Sequence, residues 1–309
     1  MISLPAHVSA ASIELMPGVP LNVFLVKGAR YSVWIDSGIR SMFPLLKQTM
    51  TDAGVTPDQL RFILNTHSHH DHIGCNAQLK KYCNCLVAAP SAYAHWHVDF
   101  ERHFQEFARP FPDIFPDTPE LRQEVLDLLD EPHAVDIRID REMVFDLGGG
   151  VQLQSLGFAG HMSAELGWLE TSSRTLILGD VITLMDAPFI HGHLTVFGYR
   201  ISLQKIRQLI EDEAVERILT AHFPPQSAEE AFDLSKKADR YLDRLEAVVI
   251  EILQEEGSLP LESIWRFFCK KLDKQLEFRS LSTVDAHLKD LAKKGVVLTH
   301  GEPVYSLIH

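Results

Sequence analysis

The chain has 309 residues, 46% hydrophobic and 23% charged, a balance that supports a full buried core without disulfide staples. Its 29 Lys and Arg against 42 Asp and Glu give a net charge of −13, which repels phosphate backbones at long range and argues against a general nucleic-acid binder. No run approaches the ~18 apolar residues of a membrane span. The opening MISLPAHVSAASIELM lacks the basic region of a signal peptide. Cys75, Cys83, Cys85 and Cys269 form neither a disulfide framework nor a zinc CxxC pair, so the reading is of reduced thiols in a cytoplasmic protein.

In chain order, Ala11–Met16, Leu21–Lys27 and Tyr31–Ile35 are short β-branched runs punctuated by Pro17-Gly18 and Gly28-Ala29-Arg30, which predicts strands and turns. A helix is expected over Ser41–Ala53, a buried strand over Arg61–Leu64, a helix reaching Tyr82 and a strand at Leu86–Ala89. Strands are expected again at Gly148–Leu156, Leu166–Thr171 and Thr175–Leu178, then a helix at Leu203–Glu211 and a strand at Arg217–Thr220. Two such halves make a layered α/β domain, residues 1–234. About residues 91–140 break the rhythm with a helical, aromatic insertion carrying Pro110, Pro112, Pro116 and Pro119. From 235 to 309 the pattern is helix to Glu256, helix Leu261–Leu272, helix Thr283–Lys294 and a hairpin of Val296–Thr299 and Val304–Leu307, a winged-helix-like order.

The richest stretch is Thr66-His67-Ser68-His69-His70-Asp71-His72, directly after the apolar Phe62-Ile63-Leu64. Residues two apart on extended chain point the same way, so His67 and His69 can converge on one ion, while Asp71 and His72 face a second. Imidazole and carboxylate suit zinc, iron or manganese. Further donors stand at later strand ends: His161 after Gly160, Asp180 after Leu176-Ile177-Leu178-Gly179, and His222 after Ile218-Leu219-Thr220-Ala221.

With these residues in this order, roughly over 12–225, the chain resembles the metallo-β-lactamase superfamily, whose T-H-x-H-x-D-H signature THSHHDH matches without a gap. The resemblance implies an αββα sandwich with two divalent metal ions at its strand ends, zinc first, iron or manganese as alternatives. His67, His69 and His161 would hold one ion, Asp71, His72 and His222 the other, with Asp180 bridging. Asp36, in Trp34-Ile35-Asp36-Ser37-Gly38, would buttress the metal loop from behind. Asp71 would also orient a nucleophilic water whose pKa the ions lower. His72 and Asp180 look like the glyoxalase II and lactonase branch rather than true β-lactamases, and Ala159 precedes Gly160 where many members have proline.

The expected activity is hydrolysis of an ester, thioester or lactone. Alternatives are an endoribonuclease-type phosphodiesterase, a regulatory member with residual hydrolysis, and an iron-dependent persulfide dioxygenase. Charge opposes the nuclease: residues 236–309 carry 12 Lys and Arg against 12 Asp and Glu, so the excess acid lies with the site. The tail helix around Ser282–Leu291 reads as a packing or dimer element, which leaves a homodimer open. Tyr199 and His191 are expected to border the cleft. Trp96, Phe100, Phe104, Phe107 and Phe111 recur at helical spacing, and a roof built from them, with Phe104 as its test residue, predicts a small-molecule substrate with a hydrophobic acyl or aryl group.

Overall fold

The computed structural model describes residues 3–300 and 304–308. The chain opens with an antiparallel hairpin, β1 (Val8–Met16) and β2 (Val19–Lys27), continued by β3 (Ser32–Ile35). Alternation along β2 serves two layers: Leu21, Val23 and Leu25 face outward to helices, Phe24 and Val26 inward to the second sheet. Next come α1 (Phe43–Asp52), β4 (Leu60–Leu64), the one-turn α2 (His70–Ile73), α3 (Asn76–Cys83) and β5 (Leu86–Pro90). The insertion holds α4 (Phe100–Phe107) and α5 (Pro119–Leu126) and returns as β6 (Ile137–Ile139), giving a sheet ordered β1-β2-β3-β4-β5-β6.

The second sheet begins with β7 (Val144–Gly148), β8 (Val151–Phe158), β9 (Glu165–Glu170) and β10 (Thr175–Leu178). After α6 (Val196–Glu211) it is completed by β11 (Arg217–Thr220) and β12 (Gln226–Ser227), in the order β12-β11-β10-β9-β8-β7. Val33, Ile35, Leu64 and Ala88 of the first sheet pack against Leu153, Trp168, Ile177 and Leu219 of the second, forming the central core. Leu46, Met50 and Leu79 cover the first sheet's outer face, and Leu203, Ile206 and Leu242 cover that of the second. This is the αββα sandwich. Cys75, Cys83 and Cys85 lie in the outer layer with α1 and α3, and burial pushes the Cys83 and Cys85 thiols up to about 12, so they act as apolar filling.

The rest of the chain is α7 (Ala228–Glu256), β13 (Leu259–Pro260), α8 (Leu261–Leu272), α9 (Phe278–Lys293) and the pair β14 (Val297–His300) and β15 (Val304–Leu307). A division at 234/235 falls inside α7, a continuous helix of 29 residues started by the Ser227–Glu230 capping box. Its first half packs on the sandwich through Ala231, Ala238 and Leu242, and its second half, through Leu245, Val249 and Ile252, on α8 and α9. Phe111, Ile114 and Phe115 of the insertion join that second core, as does Ile190. Among the described residues no helix is long and apolar enough to cross a membrane.

The aromatic stripe is not one helical face. A 3-10 segment, Ser91–His97, ends before Asp99, whose side chain accepts from the Arg102 backbone N–H (2.9 Å) and starts α4 afresh. The shared α7 couples the two cores, so unfolding should be one cooperative event. Phe268→Ala, at a fully buried site of the C-terminal core, should lower stability by about 3–5 kcal/mol. Denaturation followed by circular dichroism and by tryptophan fluorescence should give one coincident transition; two separate transitions would show that α7 does not couple them.

Candidate metal centre

The metal loop leaves β4 at Asn65 and enters α2, and its fixed point is Asp36 at the end of β3. Asp36 sits in the left-handed region at φ 57°, tolerable for an aspartate, and this turn aims its carboxylate across the loop. Oδ1 accepts from the Thr66 backbone N–H (2.8 Å), and Oδ2 accepts from Thr66 Oγ1 (2.7 Å) and His72 Nδ1 (2.8 Å). Gly179 is needed on the opposite sheet, because a Cβ there would come 2.4 Å from Thr66 Oγ1.

Around this loop two groups of buried donors converge, His67, His69, His161 and Asp180 in one, Asp71, His72 and His222 in the other. His69 Nδ1 lies 3.1 Å from His67 Nε2 and 2.8 Å from His161 Nε2, and Asp180 Oδ2 is 3.4 Å from the latter. In the second group His222 Nε2 is 3.5 Å from Asp71 Oδ2 and 3.3 Å from Asp180 Oδ1, while His72 Nε2 is 3.4 Å from that same Oδ1. Ligands about 2.0–2.1 Å from a tetrahedral ion stand roughly 3.3 Å apart, so these separations fit. Asp180 therefore offers one oxygen to each group. His72 Nε2 and Asp180 Oδ1 are buried without a hydrogen-bond partner, the mark of atoms meant for a cation.

The outer nitrogens are tied down. His67 Nδ1 meets Thr66 Oγ1 (3.1 Å), His161 Nδ1 meets the Gly192 carbonyl (3.0 Å) and His222 Nδ1 meets the Pro20 carbonyl (2.8 Å). Each such bond fixes a ring proton on Nδ1 pointing outward, so that Nε2 is the atom that faces the centre. Burial holds His67 and His69 well below the usual imidazole range and His161 at about 4. Burial opposes charge on His222 too, but the carboxylates of Asp180 and Asp71 outweigh it and push it up to about 10. His72 is likewise raised against burial by Asp180, Asp71 and Asp36. Asp71 and Asp180 are held well below their ordinary value in spite of burial by the histidines around them.

The seven donors thus lie together with Asp36 behind them, and the substrate candidates separate. His191 faces the cleft, its Nε2 3.1 Å from Asp180 Oδ2, close enough to join a donor group with Asp180 and His222. Tyr199 does not: it is part of α6 and fully buried, and it backs Gly160, where a Cβ would meet the Tyr199 Cα at 2.6 Å. Phe104 is fully buried as well, packed on Ala108, Val125 and Phe278. The residue of α4 that reaches the site is Phe107, its ring 4.3 Å from that of His69. His97 and His133, in contact at 3.1 Å, link the insertion to Ser68 of the metal loop (His97 Nε2, 2.9 Å) and to Asn76 (His133 Nε2, 3.1 Å). His103 stacks on Trp96 at 4.6 Å.

A cleft of about 250 Å³ opens over the donors. Leu15, Met16, Val19, Leu128 and Phe189 form its apolar wall. A smaller cavity of about 60 Å³, bounded by Trp96, Pro110 and Phe278, reaches the centre from the side of the insertion.

The metallo-beta-lactamase superfamily model matches residues 16–222, more than half of the chain. The chain belongs to that superfamily. A metallo-beta-lactamase family protein from Thermus thermophilus is similar at 18% identity and TM-score 0.78, over 99% of this chain and 100% of that one. A beta-lactamase domain protein from Burkholderia ambifaria is similar at 16% identity and TM-score 0.67, over 96% and 93%. An archaeal superfamily protein from Sulfolobus tokodaii, at 20% identity and TM-score 0.55, aligns over 76% of this chain and 85% of its own. At these identities the likeness speaks to fold. The first two alignments are long enough to include the C-terminal helices.

Metal uptake at pH 7 should release protons, because His72 and His222 carry them when no cation is bound, and affinity should fall as pH is lowered. Calorimetry in buffers of different ionisation enthalpy reads this directly. Asp36→Asn should weaken metal affinity about 10–100-fold, since the amide no longer fixes the His72 ring. Unchanged affinity in a chelator competition would remove Asp36 from that role.

Proposed function

We propose that the protein is a hydrolase that uses two divalent metal ions, zinc first, to cleave an ester, thioester or lactone with a hydrophobic acyl or aryl group. The observation that carries this reading is the bridging position of Asp180 between two donor groups on the floor of an apolar-walled cleft. One carboxylate shared by two groups favours a pair of ions over the single iron of a dioxygenase. Bound cations would supply Lewis acidity and a water of lowered pKa.

The chain's own residues do the rest. Asp71, at the open side of its group and 9% exposed, is placed to accept a hydrogen bond from the attacking water and orient it. The outer hydrogen bonds of His67, His72, His161 and His222 keep the donors from rotating, so little reorganisation accompanies reaction. Phe107, Leu128 and Phe189 exclude water and bury the apolar part of the substrate. His191, on the edge of both cavities, is positioned for the carbonyl or the leaving group.

We read the C-terminal unit as winged-helix-like in the order of its elements and as a structural wall of the cleft, not a reader of nucleic acid. The recognition-helix position is α9, whose Leu281, Val284, Leu288 and Leu291 are buried against α7 and α8. Its Lys289 is paired with Asp285 at 2.6 Å, and Lys294 beyond it with Asp290 and Glu246. A phosphate backbone would find few free cations there.

Two measurements test the reading. Elemental analysis should find about two metal ions per chain, and about one in His72→Ala; unchanged metal content in the variant would dissolve the two-ion site. On a panel of acyl esters and thioesters, kcat/KM should climb with chain length, up to about 0.8 kcal/mol per methylene buried. Phe107→Ala should flatten that climb, and a flat series in the wild type would return Phe107 to packing alone.

A further inference from the structure

The cleft carries a guanidinium that the chemistry above does not use. Arg279, the second residue of α9, lines both cavities together with His69, Phe107, His161 and His191. Among the described residues that line the two cavities it is the one Lys or Arg. It comes from the C-terminal unit, more than a hundred residues from the metal loop in sequence, into a site otherwise bordered by Asp71, Asp180 and Glu124.

Its guanidinium is held in a defined plane. The rings of Phe278 and Phe189 lie 4.8 and 5.3 Å from it. Beneath it, Glu277 accepts from Nε at 2.6 Å, and Glu277 stands at the N-cap of α9, where its backbone N–H donates to Ser280 Oγ at 3.4 Å. From the loop between Asp180 and α6, Gly192, at φ 89°, comes so close that a Cβ would stand 3.2 Å from the Arg279 Cβ. Gly192 also gives its carbonyl to His161, so Arg279 packs directly on the turn that positions a donor.

The two carboxylate partners differ in kind. Glu277 is 14% exposed and part of a helix cap, whereas Glu124, on α5 across the cleft, is 49% exposed and meets Nη2 at 3.0 Å. A half-exposed ion pair contributes little net free energy, so this partner exchanges readily. Glu124 is held by a single Nη2 bond, so a carboxylate that arrives in its place can take the guanidinium's forked geometry, which Glu124 does not use. A chain of net charge −13 repels anions until a local cation receives them, and Arg279 is that cation at the mouth of the cleft.

We propose that Arg279 anchors a carboxylate on the substrate and that Glu124 is the counter-ion the substrate displaces, which makes the substrate class a hydrophobic ester or thioester bearing a carboxylate. The inference rests on the cleft being the substrate site of the proposed hydrolase, yet it is tested without turnover. The probes are 4-phenylbutyrate and its neutral amide, titrated calorimetrically into the metal-loaded full chain. In the wild type the acid should bind about ten-fold more tightly than the amide, as expected for a charge-assisted pair. Arg279→Met should erase that advantage, Arg279→Lys should keep part of it, and Glu124→Gln should tighten the acid several-fold and leave the amide alone. Acid and amide binding alike in the wild type would overturn the anchor. So would an advantage that survives in Arg279→Met, which would place the carboxylate on the metal ions instead. If circular dichroism shows that Arg279→Met does not fold, Glu124→Gln decides: tighter acid binding supports the exchange and unchanged binding rejects it. Protein that binds the acid through Arg279 but hydrolyses no member of the ester and thioester panel keeps the anchor and loses the hydrolase.

Discussion

The Asp36 carboxylate ties both ends of the metal loop to the end of β3, and the geometry of the site follows from that tie. With one oxygen it takes the Thr66 backbone N–H and with the other the Thr66 hydroxyl and the His72 ring. Thr66 in turn receives His67 Nδ1, so a single buried anion orients a donor of each group. The cost is a left-handed aspartate and a desolvated charge. Four hydrogen bonds to the carboxylate, the fourth from the Asn65 amide, offset it, and they form only when β3, β4 and the start of α2 are all in place. The site and the first sheet therefore fold as one object.

The C-terminal unit belongs to the same object. α7 begins on the second sheet and ends in the C-terminal core, so neither core can shift without bending a helix of 29 residues. Insertion and C-terminal unit meet over the cleft, where Phe107 of α4 packs edge-on against Phe278 of α9 at 5.0 Å, and Phe115 against Trp265 at 5.2 Å. The roof of the cleft is thus made by two segments that lie outside the sandwich, one on each side. Variation in either would change which substrates enter while leaving the donors untouched.

The donors were legible in the sequence because their signal is local. Each of His67, His69, Asp71, His72, His161, Asp180 and His222 stands just past an apolar strand, and strand ends are where a layered α/β fold collects its chemistry. The layered α/β order was legible for a related reason, since short β-branched runs and their turns survive in any single window, whereas the αββα arrangement was implied by the resemblance that THSHHDH carries. Residues whose role depends on tertiary approach were not. Tyr199 follows the Asp180 loop in sequence, yet α6 begins at Val196, capped by Thr195, and turns that ring into the core. Phe104 and Phe107 share a stripe and a helix, but Phe104 packs into the insertion with Val125 and Phe278 while Phe107, three residues on, lies against His69. Arg279 and Glu124 meet across 155 positions, and no spacing rule spans that distance.

The two donor groups also differ in what a cation must displace. His67, His69 and His161 are desolvated and surrounded by one another's rings, which keeps them neutral and leaves their lone pairs open. His72 and His222 face Asp71 and Asp180, which hold protons on them, so a cation entering there trades charge for charge. As pH falls, the second group gains a competitor for its nitrogens well before the first does. The same carboxylates that make the second group attractive to a metal make it attractive to protons. The asymmetry follows from placing both aspartates so that Asp71 serves one group alone while Asp180 is shared, and it implies that the group with His72 and His222 is the first to empty on acidification.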